Sequence, residues 1–313
     1  MHMTSSFDAE GDITVLRAIG ERAETLSQGG TSPHRPWLLV LGGGIRGIYG
    51  AAAVTQLEAS ALTDGIAGCV GISTGAATCA YFLSKQAALG TTFYYEECIG
   101  REFFSIRRML FGGSGADVAF LARVMRGAVG LKQLDQKRLK ASPTEFFVVV
   151  TDAKDGHGEF VDAKRAVPDS VQAIEASMAI PHFYRKPVLL GNKRYIDGGV
   201  ALPLPAKEVI EQFAPTHLLV LANRPRMLVS PIWYRFINIL TYPFMSPFIR
   251  ESATGDGKGF IEELAYVRDS KIPHLIIWTN DRVSVFTQNK RTIRTGMAEA
   301  RSHMRTLLEQ AGF

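Results

Sequence analysis

Two apolar runs, residues 38–41 and 68–72, each end in small residues and each pass directly into an apolar segment of helical length, 48–57 and 76–83. A strand, a helix and a second strand in that order place the two strands parallel in one sheet, with the helix laid across a face. Neither run alternates with polar residues, as expected of strands covered on both faces. The pair of units therefore commits the chain to an α/β fold with a parallel centre. The first run leads into Gly42, Gly43 and Gly44, then Arg46 and Gly47. Glycines reach backbone angles closed to other residues, so their N–H groups can converge on a point beyond the sheet, where the next helix adds the positive end of its dipole. Such a turn is built to hold an anion.

The remaining segments fit that frame. Residues 12–28 read as an amphipathic helix with Asp12 as cap and Ile13, Leu16 and Ile19 on one side. A helix is expected over 91–108, and shorter ones over 120–129 and 134–139. The segment EFFVVVT at 145–151 is the plainest strand, with a turn at Asp155-Gly156 and a hairpin partner at 158–162. A helix over 170–178 stops before Pro181, and a strand at 193–196 enters Asp197-Gly198-Gly199. After an amphipathic helix at 206–213 come strands at 217–222 and 274–279. A long final helix over 292–310 sets Ile293, Met297, Ala300, Met304 and Leu307 on one face. Cys69, Cys79 and Cys98 read as reduced core residues. No repeat or linker divides the chain, so the expected organisation is an N-terminal helical extension, 1–35, and one domain, 36–313. That domain is a three-layer α/β/α sandwich around a mainly parallel sheet, interrupted by an insertion at 227–257.

The second turn carries the chemistry. Gly71-Ile72-Ser73-Thr74-Gly75 is a G-x-S-x-G between a strand and a helix, where small neighbours, Gly71 and Gly75, permit a sharp turn that lifts the serine oxygen clear of the sheet. A glycine-flanked serine capping a helix has the same local pattern. What separates the two readings is the adjacent strand, because it ends in the glycine turn and so brings donors to the same sheet edge as the serine. A serine nucleophile needs both a base and donors for the oxyanion that forms on attack. Arg46 either adds charge to that turn, locks it by hydrogen bonding, or pairs with a surface carboxylate. Asp197 follows an apolar strand and precedes two glycines, a position suited either to a base held by backbone N–H groups or to a plain turn.

GGGIRG, then GISTG, then IDGG, in that order at strand ends, resembles the patatin-like phospholipases, lipid acyl hydrolases with a serine–aspartate dyad. The resemblance runs over residues 37–205 and includes ASMAIP at 176–181, similar to a segment the family places near its active site. It implies a patatin-like fold, Ser73 as nucleophile, Asp197 as base, and Gly42, Gly43, Gly44 and Arg46 as the oxyanion hole. The implied substrate is a phospholipid or another acyl-ester lipid, cleaved without metal or cofactor. Ala201-Leu202-Pro203 departs from the pattern, since many members carry asparagines after the DGG.

Other readings make different demands. A Ser-His-Asp triad needs a histidine near Ser73. His217 and His274 begin strands, at the wrong end of a parallel sheet, His303 lies in the last helix, and His2 and His34 precede the first strand. Only His157 and His182 come within plausible reach. Gly42-x-Gly44-x-x-Gly47 also matches a dinucleotide fingerprint, but the next strand ends in Ser73 where an acidic residue is wanted. A non-catalytic lipid-binding or scaffold protein on the same fold is the third alternative.

With 35 Lys plus Arg against 30 Asp plus Glu, a formal charge of +5, the chain has a mild basic bias and no dense basic run interleaved with aromatics, so no nucleic-acid partner is expected. The insertion's Trp233, Tyr234, Phe236, Tyr242, Phe244 and Phe248, flanked by arginines, suit peripheral contact with a membrane through 227–250. Its charge-free stretch, 236–249, is shorter than the roughly 20 residues a spanning helix needs. The N-terminus shows no apolar core of a secretory signal, and a cytoplasmic location, at most peripheral to a membrane, is the expectation.

Overall fold

A computed structural model describes residues 7–111, 113–165, 169–181, 183–184, 186–226 and 258–313. The insertion at 227–257 and His182 lie outside the described residues. In chain order the elements are β1 (Asp8–Gly11), α1 (Thr14–Ser27), β2 (Pro36–Val40), a 3-10 turn (Gly44–Gly47), α2 (Ile48–Ala59), β3 (Gly68–Ile72), α3 (Thr74–Leu83), α4 (Ala87–Glu96), α5 (Ile106–Leu110), α6 (Val118–Met125) and α7 (Gln136–Ala141). Then follow β4 (Glu145–Asp152), β5 (Gly158–Asp162), α8 (Ser170–Ser177), β6 (Val188–Leu190), β7 (Lys193–Asp197), α9 (Ala206–Phe213), β8 (His217–Leu221), α10 (Lys258–Asp269), β9 (His274–Trp278) and α11 (Lys290–Ala311).

The strands form one sheet in the order β1-β9-β8-β2-β3-β4-β7-β6, with β5 paired to β4. From β9 to β4 all neighbours are parallel. At the margins, β1, β5, β7 and β6 pair antiparallel. The sheet is therefore mixed, with the parallel centre that the two strand–turn–helix units require.

Alternate residues of β2 and β3 feed two cores. Leu38, Val40 and Cys69 pack with α1, α2, α3 and α11, while Trp37, Leu39, Val70 and Ile72 meet Val209 of α9 and Phe260, Leu264 and Val267 of α10. Covered faces on both sides explain why these strands read as unbroken apolar runs. The three cysteines are free and buried. Among the described residues no helix is long and apolar enough to cross a membrane.

Three elements differ from the sequence expectation. The helix expected over 91–108 is two, α4 and α5, joined by a non-helical stretch in which Gly100 sits at φ +89°, an angle a right-handed helix does not take. The edge strand β1 was not foreseen. Its Glu10 is gripped by Arg268 Nη2 at 2.9 Å and by Trp278 Nε1 at 3.3 Å, so tertiary pairing holds a segment with little strand propensity. The third, β6, is a three-residue strand on the edge of β7.

Candidate active site

Ser73 is the hinge between β3 and α3. Its backbone stands at φ 52° and ψ −128°, a region that a residue with a Cβ occupies only under constraint, typically at about 1–3 kcal/mol. The constraint comes from its neighbours. A Cβ on Gly75 would lie 2.2 Å from the Val40 carbonyl oxygen, and one on Gly71 would lie 2.5 Å from the Ala76 Cα. Both glycines of G-x-S-x-G are thus contact points where α3 presses on the sheet.

Register brings Asp197 to the same place. β3 ends with Ile72 paired to Val149 of β4, and the next β4 residue, Val150, is paired to Asp197 of β7. Because β5 occupies the opposite edge of β4 over the same residues, β7 takes over the edge that β3 leaves at Ser73. The junction is tight, since a Cβ on Gly198 would lie 2.1 Å from the Val149 carbonyl oxygen. The Asp197 N–H donates to the Ala179 carbonyl at 3.0 Å, and its carbonyl accepts from Thr151 Oγ1 at 2.8 Å. Gly199 N–H donates to Asp197 Oδ1 at 2.8 Å.

Both side chains are buried, Ser73 at 4% exposure and Asp197 at 5%. Burial pushes the Asp197 carboxyl up to about 6, against the opposing pull of the Ser73 hydroxyl and the Gly199 N–H. Asp197 Oδ2 nevertheless completes no well-formed hydrogen bond among the described residues, so the hydroxyl faces the carboxyl without being locked to it. In such an arrangement a buried carboxyl can accept a proton from a neighbouring hydroxyl.

Ser177, the second residue of ASMAIP, was not singled out by the sequence. Its Oγ accepts from the Ser73 N–H at 2.9 Å and donates to the Val149 carbonyl at 2.6 Å, so one hydroxyl ties the serine hinge to β4. No local pattern marks it, because both partners are backbone groups of distant strands.

The glycine turn lies against the hinge. A Cβ on Gly42 would sit 2.9 Å from Ser73 Cβ and 3.6 Å from its Oγ. Gly44 stands at φ +55°, and a Cβ there would come within 2.8 Å of Val285. The Ile45 N–H donates to the Val285 carbonyl and the Arg46 N–H to the Gly43 carbonyl, both at 3.1 Å. Those bonds close the turn and place Arg46 in it. The Gly43 and Gly44 N–H groups have no such partner among the described residues.

Ser73 opens into a cavity of about 590 Å³, part of it continuous with solvent, whose wall is almost wholly apolar. Cys98, Val118 and Leu121 are buried in its floor, and the half-buried Phe104, Phe183 and Phe286 cluster at its rim, Phe104 stacked on Phe183 at 6.4 Å and Phe286 tilted against both at 5.8 and 4.7 Å. Among the described residues no histidine lines this cavity. His34 and His217 stack edge-to-face at 5.2 Å where β2 and β8 begin, and His157 is exposed in the β4–β5 turn.

Residues 38–210, more than half of the chain, match the family model described as patatin-like phospholipase. The chain belongs to the patatin-like phospholipase family. Members of that family are lipid acyl hydrolases. Among curated proteins, the uncharacterised protein YjjU of Escherichia coli K12 is 28% identical over 204 residues, 65% of this chain and 56% of that protein. The match thus spans little more than half the length of that relative. Among solved structures, VipD from Legionella pneumophila aligns with 99% of this patatin-like chain and 71% of its own at TM-score 0.46 and 10% identity. Full-length ExoU of Pseudomonas aeruginosa, in complex with SpcU, aligns with 87% of this chain and 60% of that one at TM-score 0.33 and 12% identity.

Proposed function

We propose that this patatin-like chain hydrolyses carboxylic esters of phospholipid or related acyl lipids through an acyl-Ser73 intermediate. The reading rests on one observation above others, the meeting of a strained serine and a buried, partly unsatisfied carboxyl at an apolar cavity. With the acyl chain in the cavity, Ser73 Oγ attacks the ester carbonyl carbon as Asp197 takes its proton. A carboxyl near 6 is a stronger base than an ordinary aspartate and still ionised at neutral pH. The tetrahedral oxyanion is held by the glycine turn, Gly42, Gly43 and Gly44, with Arg46 supplying positive charge. Each such donor is worth on the order of 3 kcal/mol of barrier. Collapse expels the alcohol, which takes the proton from Asp197. Water then attacks the acyl-serine by the same route in reverse.

A fluorophosphonate probe is expected to label the wild type and not Ser73→Ala, and liposomes treated with the two are expected to differ in free fatty acid. Labelling that persists in Ser73→Ala removes the proposal. The absence of a histidine role is tested separately, with His157→Ala and His182→Ala expected to retain esterase activity within a fewfold of wild type. A loss of a hundredfold or more in either, the size of a removed general base, would replace the dyad with a triad.

A further inference from the structure

Beside the cavity rim the surface carries two large apolar side chains in water, Ile106 at 58% exposure and Phe111 at 81%. Ile106 begins α5 and Phe111 follows its last residue, and the hairpin that carries α5 is pinned from within. Arg108 donates through Nη2 to the Phe103 carbonyl at 2.7 Å and through Nη1 to the Glu102 carbonyl at 3.1 Å. Ser105 N–H donates to the Gly115 carbonyl and Asp117 N–H to the Phe103 carbonyl, both at 2.8 Å, and Phe104 bridges Ala116. The inner side of the hairpin, Phe103, Phe104 and Ala116, is cavity wall. Its outer side presents Ile106 and Phe111, so rim and exposed patch are two faces of one braced unit.

The segment that carries the patch is weakly basic, with Arg108 turned inward on carbonyls. Residues 101–117 hold Arg101, Arg107 and Arg108 against Glu102 and Asp117, and the Asp117 side chain caps α6 by accepting from the Phe120 N–H. Arg107 lies over the Phe111 ring at 5.9 Å, an exposed cation held beside an exposed aromatic. Exposed apolar side chains beside the exposed Arg107 fit an interface of acyl chains under anionic headgroups, where the ring and the guanidinium both find partners.

We infer that Ile106, Phe111 and Arg107 dock the protein on an anionic lipid surface and hold the cavity rim against it. The inference rests on the lipid-hydrolase reading for its purpose but not for its test. Binding is read by co-sedimentation with vesicles of phosphatidylcholine and phosphatidylglycerol, in the Ser73→Ala background so that no lipid is consumed. Burying a large apolar side chain contributes enough that I106S/F111S is expected to bind at least about tenfold more weakly. Arg107→Glu is expected to reduce binding to the anionic vesicles while leaving pure phosphatidylcholine vesicles unaffected, with the wild type's advantage shrinking in salt. In the Ser73-intact chain, I106S/F111S should hydrolyse a soluble short-chain ester at the wild-type rate.

Vesicle binding unchanged in I106S/F111S overturns the inference, as does a wild type that fails to sediment. If the patch instead seats another stretch of this chain or a second copy, I106S/F111S would change the melting temperature or elution volume and leave vesicle binding intact, which also overturns it. Failure of the hydrolase reading looks different, because Ser73-dependent turnover of the soluble ester would be missing in every variant.

Discussion

Asp197→Asn is expected to lower kcat/KM about 10²–10⁴-fold, the usual contribution of a general base, and at the same time to make the fold more stable at neutral pH. The second effect follows from the direction of the pKa change. The folded carboxyl titrates at about 6 and the unfolded one at its ordinary 3.8. Between those values the folded form binds more protons, so stability falls as pH rises through the interval. Above about pH 6 the folded state carries the whole penalty of a buried charge, on the order of 3 kcal/mol, and below about pH 4 it carries none. Asparagine keeps an oxygen for the Gly199 N–H and brings no charge. Its denaturation midpoint should therefore exceed that of the wild type at pH 7–8, and the two should converge near pH 4. The same titration sets activity, and kcat/KM for a soluble ester should rise with pH through about 6 as Asp197 ionises. A variant less stable than wild type at pH 7, or a profile flat from 5 to 8, would contradict the assignment of Asp197 as a buried, ionised base.

The two halves of the candidate site are unequally legible in the sequence. Ser73 was readable because sterics write themselves into sequence: where α3 presses on β2 and β3, no side chain fits at Gly71 or Gly75, and the resulting spacing is visible. The glycine turn was readable for the same reason at Gly44, whose positive φ and contact with Val285 exclude a Cβ. Asp197 was harder to place. Asp-Gly-Gly is an ordinary turn sequence, and what joins it to Ser73 is a change of partner along one edge of β4, a long-range fact of register that no local pattern encodes. Ser177 lies in ASMAIP, a segment marked only by resemblance, and its own role has no local pattern because a buried serine on a helix has many commoner explanations. β1 was missed for a related reason, because an edge strand held by Arg268 and Trp278 needs no strand propensity of its own.

Ser177→Ala is the second large effect. The side chain is fully buried, and its hydroxyl is the partner of two backbone groups, the Ser73 N–H and the Val149 carbonyl. Removing it leaves both groups without that bond in a packed interior, at about 1–3 kcal/mol each, so a loss of about 2–6 kcal/mol of stability is expected. Stability alone would mark Ser177 as structural. Its position makes a further demand, because the N–H it holds belongs to the residue with the strained backbone, and the strain persists only while the surroundings over-determine it. Once the tie is cut, Ser73 can relax toward ordinary angles and carry its Oγ away from Asp197. The folded fraction of Ser177→Ala should therefore show a kcat reduced by one to two orders of magnitude, while KM, set by the apolar cavity, stays near the wild-type value. Fluorophosphonate labelling should slow in proportion. If the folded variant keeps full kcat and loses only stability, Ser177 is a core hydrogen bond and the hinge is held by Gly71 and Gly75 alone.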